Sequence, residues 1–113
     1  MAVQPAGYDV IVDDASHRAA DVIASFELLF PRALRSKGIY IMEDIHWPGT
    51  GTGTGSVLDY VQRLRPYLWL CETPSRCPVR YGASSMAAVE HQDWRYEIES
   101  ITLHRDVIVF VKK

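Results

Sequence analysis

The 113-residue sequence predicts an α/β fold: half of a doubly wound domain, with a mixed sheet whose last two strands form an antiparallel hairpin. Three observations carry this. Val10, Ile11 and Val12, and later residues 107–111, are unbroken apolar runs, the pattern of strands covered on both faces. Between them, two stretches repeat apolar residues at helical spacing. The first two strands each run straight into acids, Asp13-Asp14 and Glu43-Asp44.

Residues 8–13 form the first strand. The acids and Ser16 then end it and open a helix, with Ser16 as the expected N-cap. In that helix Ala19, Val22, Ile23, Phe26, Leu29 and Phe30 make the buried stripe. Pro31 has no amide to donate, so the helix is expected to end near Phe30 and a further turn to close at Gly38. Gly38 releases a second strand over 39–43, completing a right-handed crossover. After alternating Gly and Thr over 49–55, Ser56 to Asp59 have capping-box-like order, and Val57, Val61, Leu64 and Leu68 line a second helix. Residues 71–93 read mostly as loop, with a short helix possible over 84–89. The sequence closes on a hairpin, 96–104 and 107–111 about Arg105-Asp106, with the last strand interior to the sheet.

Length permits one domain or part of one, taken as a single unit over 1–113. Lys and Arg total 12, Asp and Glu 14, for a formal net charge of -2. That balance gives no electrostatic reason to expect nucleic acid or an anionic membrane as partner. No run approaches the roughly 20 apolar residues that span a bilayer, and the first residues lack the basic flank and apolar core of a signal peptide. A cytoplasmic location is expected. Cys71 and Cys77, without clustered histidines, read as two reduced thiols.

The carboxyl edge of an open α/β sheet is where ligands bind, and neighbouring strands lie about 4.8 Å apart. Asp13, Asp14, Glu43 and Asp44 would therefore converge there. Oxygen-rich clusters suit a hard cation such as Mg²⁺. Acids at strand ends and helix starts are also ordinary dipole and solubility residues, so the residues alone leave both readings open. His17 stands at the start of the helix, three residues after Asp14. A helix N-terminus and a nearby cation disfavour imidazolium, leaving a neutral ring fit for general-base work. An ordinary surface histidine is the plainer alternative, and His46, His91 and His104 read that way. The Gly-Thr run lacks the Lys and Ser/Thr of a P-loop and is separated from the strand by His46, Trp47 and Pro48, so a lid or linker is the simpler reading.

Residues 8–17 (YDVIVDDASH), 24–31 (ASFELLFP), 38–46 (GIYIMEDIH) and 101–113 (ITLHRDVIVFVKK) together resemble the metal-dependent class I S-adenosylmethionine methyltransferases of the macrolide and deoxysugar O-methyltransferase type. The resemblance implies the second half of a Rossmann-like sheet, with strands in the order four, five, seven, six. It implies Asp14 as a metal ligand near the cofactor, Glu43 and Asp44 as the remaining protein ligands of Mg²⁺ or Mn²⁺, and His17 as the base. Asp13 matches the motif without an assigned duty. Ala15 replaces a usual glycine. The implied reaction is methylation of a hydroxyl on a sugar or polyketide-type small molecule.

The glycine-rich turn and the ribose-binding acid that hold the cofactor in that family precede these motifs, so the stretch corresponds to the C-terminal half alone. A non-catalytic remnant or partner subunit is the second reading. A receiver-like Mg²⁺-binding signalling domain is the third, disfavoured because the only late lysines are Lys112 and Lys113. Residues 8–12 would then present an open edge without proline or lysine, expected to self-associate or to take a complementary N-terminal half.

Overall fold

The computed structural model of the chain describes residues 7–14, 18–45, 56–69 and 93–113. Four strands form one sheet: β1 (Tyr8–Asp13), β2 (Leu34–Met42), β3 (Ile98–Leu103) and β4 (Ile108–Lys112). Their order is β1-β2-β4-β3. β1 runs parallel to β2, while β4 is antiparallel to both β2 and β3. This is the mixed sheet with a terminal hairpin that the sequence predicts, in the arrangement the resemblance implies. Helices α1 (Ala19–Arg32) and α2 (Val57–Trp69) share one core with it.

The register explains why both helices lie on one face. Tyr40 stands opposite both Ile11 and Phe110, and Met42 opposite Ile108. Alternation puts all of these on the same side of the sheet. Val22, Phe26 and Phe30 of α1, Val57, Val61 and Leu64 of α2, and Tyr40, Met42, Ile98, Ile108 and Phe110 of the sheet form one buried cluster. Phe26 is its centre, 4.3 Å from the Phe110 ring and 5.1 Å from the Tyr40 ring, the latter edge-on.

The local rules hold best at the start of α2. Ser56 Oγ accepts the Asp59 amide at 3.1 Å, capping the helix as its order predicts. At α1 the expectations need correction. Its N-cap is Arg18, which makes no side-chain cap bond, rather than Ser16, which lies outside the described residues. The Val22 amide donates to Arg18 at 3.0 Å, so the helix begins only where its apolar stripe begins. It also runs through Pro31 to Arg32, because a proline in the last turn costs one hydrogen bond and the Ala33 amide still reaches Leu29 O at 2.8 Å.

β2 likewise starts at Leu34 instead of after Gly38. Tyr8 pairs with Leu34 and Val10 with Ile39, so four residues of β2 face one of β1 and bulge out. Lys37 turns through φ 69° within the bulge. A Cβ on Gly38 would lie 2.7 Å from Arg35 O, so the glycine permits the chain to fold back on itself rather than ending a helix. The hairpin is present as expected, but its strands are Ile98–Leu103 and Ile108–Lys112 rather than 96–104 and 107–111, because Tyr96 and Glu97 are taken up by a 3₁₀ turn, Trp94–Glu97, that the sequence does not reveal. The Gly-Thr run 49–55 and the proposed short helix at 84–89 lie outside the described residues.

Candidate functional site

Parallel pairing of β1 and β2 brings both acid pairs to one edge. Asp13 stands opposite Met42, and the Glu43 amide donates to Asp13 O at 3.0 Å. Asp14 therefore leaves β1 beside the point where Glu43 and Asp44 leave β2. Asp14 is exposed; Glu43 and Asp44 are half-buried. Asp44 has φ 56°, the left-handed region that Asp tolerates better than most residues. It breaks the strand alternation, and the Ile45 amide then anchors the chain on Asp106 O at 3.2 Å. Ile45 itself is buried in the core. The acidic end of β2 is thus fastened on one side to β1 and on the other to the β3–β4 turn.

Sequence reasoning missed Tyr40. Its ring is buried in the core and its hydroxyl donates to Asp13 Oδ2 at 3.5 Å. Burial, and then the Asp13 charge, raise the phenol well above its ordinary value, so it stays a proton donor throughout the neutral range. Only the register, which places Tyr40 beside β1, makes this partner visible.

Among the described residues no three His, Cys, Asp or Glu side chains gather closely enough to form a metal cage. Asp14, Glu43 and Asp44 share an edge without closing into one. His17 lies outside the described residues. No described helix is long and apolar enough to cross a membrane.

No family model matches the chain. It is 36% identical over 75 residues to the 8-demethyl-8-alpha-L-rhamnosyl tetracenomycin-C 2'-O-methyltransferase of Streptomyces olivaceus, a stretch covering 60% of this chain and 20% of that enzyme. It is 44% identical over 52 residues to the L-olivosyl-oleandolide 3-O-methyltransferase of Streptomyces antibioticus, 43% of this chain and 13% of that enzyme. The chain is homologous to sugar and macrolide O-methyltransferases. The matched stretch spans a fifth or less of these curated O-methyltransferases.

A solved structure of the methyltransferase MycE with Mg and SAH superposes with a TM-score of 0.64 at 27% identity, covering 93% of this chain and 27% of that one. A second, with Mg, SAH and mycinamycin VI, gives the same TM-score at 24% identity and supports the fold. The described sheet and helices thus belong to a fold similar to part of that methyltransferase. Two observations weigh against the receiver-like reading. The hairpin makes the sheet mixed, and Lys112 Nζ turns away from the acids to the end of α1, within 2.7 Å of Leu34 O and 3.2 Å of Pro31 O.

Proposed function

We propose that the chain is part of an S-adenosylmethionine-dependent, Mg²⁺-assisted O-methyltransferase acting on a hydroxyl of a sugar or polyketide-type small molecule. One observation carries the reading. Two adjacent parallel strands, tied by the 3.0 Å bond from the Glu43 amide to Asp13 O, deliver Asp14, Glu43 and Asp44 to one sheet edge in a homologue of sugar O-methyltransferases.

The donors fit the cation in kind. All three are hard oxygen ligands, and Mg²⁺ is commonly held by one or two carboxylates with water or substrate oxygens in its other positions. Asp14, Glu43 and Asp44 would hold it at this edge. When bound there, the metal would supply Lewis acidity that lowers the pKa of the substrate hydroxyl. His17, in the sequence position the resemblance gives the base, would take the hydroxyl proton. Asp14, which the resemblance places near the cofactor, would also meet the methyl donor, and the remainder of that grip would come from a complementary half. A non-catalytic partner subunit is the competing reading.

The proposal extends to the outer edge of β1, which is taken to receive a further strand from a second copy or a complementary half. Beside that edge an open apolar pocket of about 190 Å³ is lined by Tyr8, Val10, Ile11, Leu29 and Ala33. Cytoplasmic placement belongs to the same proposal.

Transfer of a radiolabelled methyl group from S-adenosylmethionine to a macrolide-linked deoxysugar hydroxyl tests the reaction: the 113-residue chain alone is expected to show little turnover, and the variants are compared in the presence of a complementary N-terminal half that restores it. His17→Ala is expected to lower turnover by roughly 10²-fold or more, the scale of a lost general base. Turnover unchanged in both His17→Ala and Asp44→Asn would reduce the chain to the non-catalytic reading.

A further inference from the structure

Asp13 matches the acidic motif without a duty, and three ties between the ends of β1 and β2 meet on it. It is the register partner of Met42. Its carbonyl accepts the Glu43 amide at 3.0 Å, and its carboxylate accepts the Tyr40 hydroxyl at 3.5 Å. Tyr40 is wholly buried and its ring is wedged edge-on against Phe26. The tyrosine is therefore the fixed member of the pair, and the carboxylate is oriented by it. The next residue, Asp14, is exposed.

We infer that Asp13 is a positioning residue: with Tyr40 it locks the ends of β1 and β2 together, so that Asp14 and Glu43 are presented jointly to a divalent cation. This rests on the metal site proposed above and divides the two aspartates by task. Asp13 faces inward and holds the scaffold, and Asp14 faces outward and binds. Groups that orient metal ligands through hydrogen bonds typically change affinity by 10–100-fold when removed.

The test is Mn²⁺ binding to the full chain, read as free ion by electron paramagnetic resonance. Asp13→Ala and Tyr40→Phe are expected to weaken binding by roughly 10-fold or more, while Asp13→Asn, whose amide oxygen still accepts the Tyr40 hydroxyl, restores most of it. Equal losses in Asp13→Asn and Asp13→Ala would make Asp13 a direct ligand and overturn the inference. Tyr40→Phe at wild-type affinity would overturn it too. Asp14→Asn and Asp44→Asn separate the inference from the site beneath it. If they leave affinity unchanged, or the wild type does not bind Mn²⁺, the metal site falls and takes the inference with it; if they alone weaken binding, only the inference falls. Should Asp13→Ala fail to fold, Tyr40→Phe and Asp13→Asn decide. Hydrogen exchange adds a metal-free readout: the Glu43 amide is expected to exchange faster in Tyr40→Phe and not in Asp13→Asn, and equal rates in all three proteins would break the proposed link.

Discussion

The two faces of the sheet are built from similar apolar residues and differ in what covers them. On one, Tyr40, Met42, Ile108 and Phe110 are buried beneath α1 and α2. On the other, Val10 and Val12 are 51% and 52% exposed, and Ile39, Ile41, Val109 and Val111 are half-buried. Among the described residues neither helix places a core side chain on that second face. Unbroken runs such as Val10 to Val12 and Val107 to Val111 mark strands suited to burial on both sides. The difference teaches that apolar runs report how a strand is meant to be enclosed, whereas the helices present determine which side is enclosed here.

The largest effect should come from the covered face. Phe26 touches the rings of Phe30, Tyr40, Tyr60, Trp94 and Phe110 and has no exposed surface. Phe26→Ala removes the side chain that joins both helices to the sheet, and should cost about 3–5 kcal/mol in chemical denaturation. A loss below about 1 kcal/mol would mean that the two faces do not differ in energy as they do in burial.

Next comes Lys112, a charged residue on the covered face. Its ammonium donates to Phe30 O at 3.3 Å, Pro31 O at 3.2 Å and Leu34 O at 2.7 Å. The first two are carbonyls left over at the end of α1, where a cation also complements the helix dipole. Lys112→Met keeps the stem and removes the donors, and a loss of about 1–3 kcal/mol is expected from the stranded carbonyls. Glu97, 3.8 Å away and half exposed, should matter little, so Glu97→Gln is the control.

These residues also mark how far the sequence could be read. Ser56 was legible because a cap is a contact between near neighbours in the chain. The strand order was legible through the resemblance of motifs that lie at strand ends. The Ser16 cap and the stops at Pro31 and Gly38 were misread because local signals for starting and stopping a helix yielded to packing: α1 starts with its apolar stripe and persists past proline. Lys112 gave no signal at all, since a charge near a strand end reads as solvated until the end of α1 is placed over it. At the candidate site the acids were legible by type and spacing. The Tyr40 hydroxyl was not, because its partner is 27 residues away and depends on register.

An alkaline titration separates the faces by another route. Burial, and next the charge of Asp13, raise the Tyr40 phenol; burial, and next Glu27, raise that of Tyr60. With folded values above the unfolded value near 10, the stabilisation is fully present below about pH 10 and is lost as pH rises beyond it. For Tyr40 the loss is on the order of 1 kcal/mol per pH unit once the pH exceeds the unfolded value. Tyr40→Phe should flatten the decline when unfolding is followed from pH 9 to 11. A slope unchanged by the substitution would remove Tyr40 as its source.

The smallest stability effect belongs to the face that neither described helix covers, where the readout is association. Natural edge strands usually carry lysine, proline or a bulge against unwanted pairing. From Tyr8 to Asp13 there is no lysine or proline, and the bulge between β1 and β2 lies in the partner strand. Val10 is half-exposed and borders the apolar pocket, so a lysine there meets solvent in the monomer but would be desolvated against an added strand. Val10→Lys should change the unfolding free energy by no more than about 0.5 kcal/mol, as surface substitutions do. Sedimentation over a wide concentration range should show the wild type associating and Val10→Lys remaining monomeric. A wild-type chain that stays monomeric throughout would end the self-association proposal, and a Val10→Lys cost near 2 kcal/mol in that monomer would show that the second face is enclosed after all.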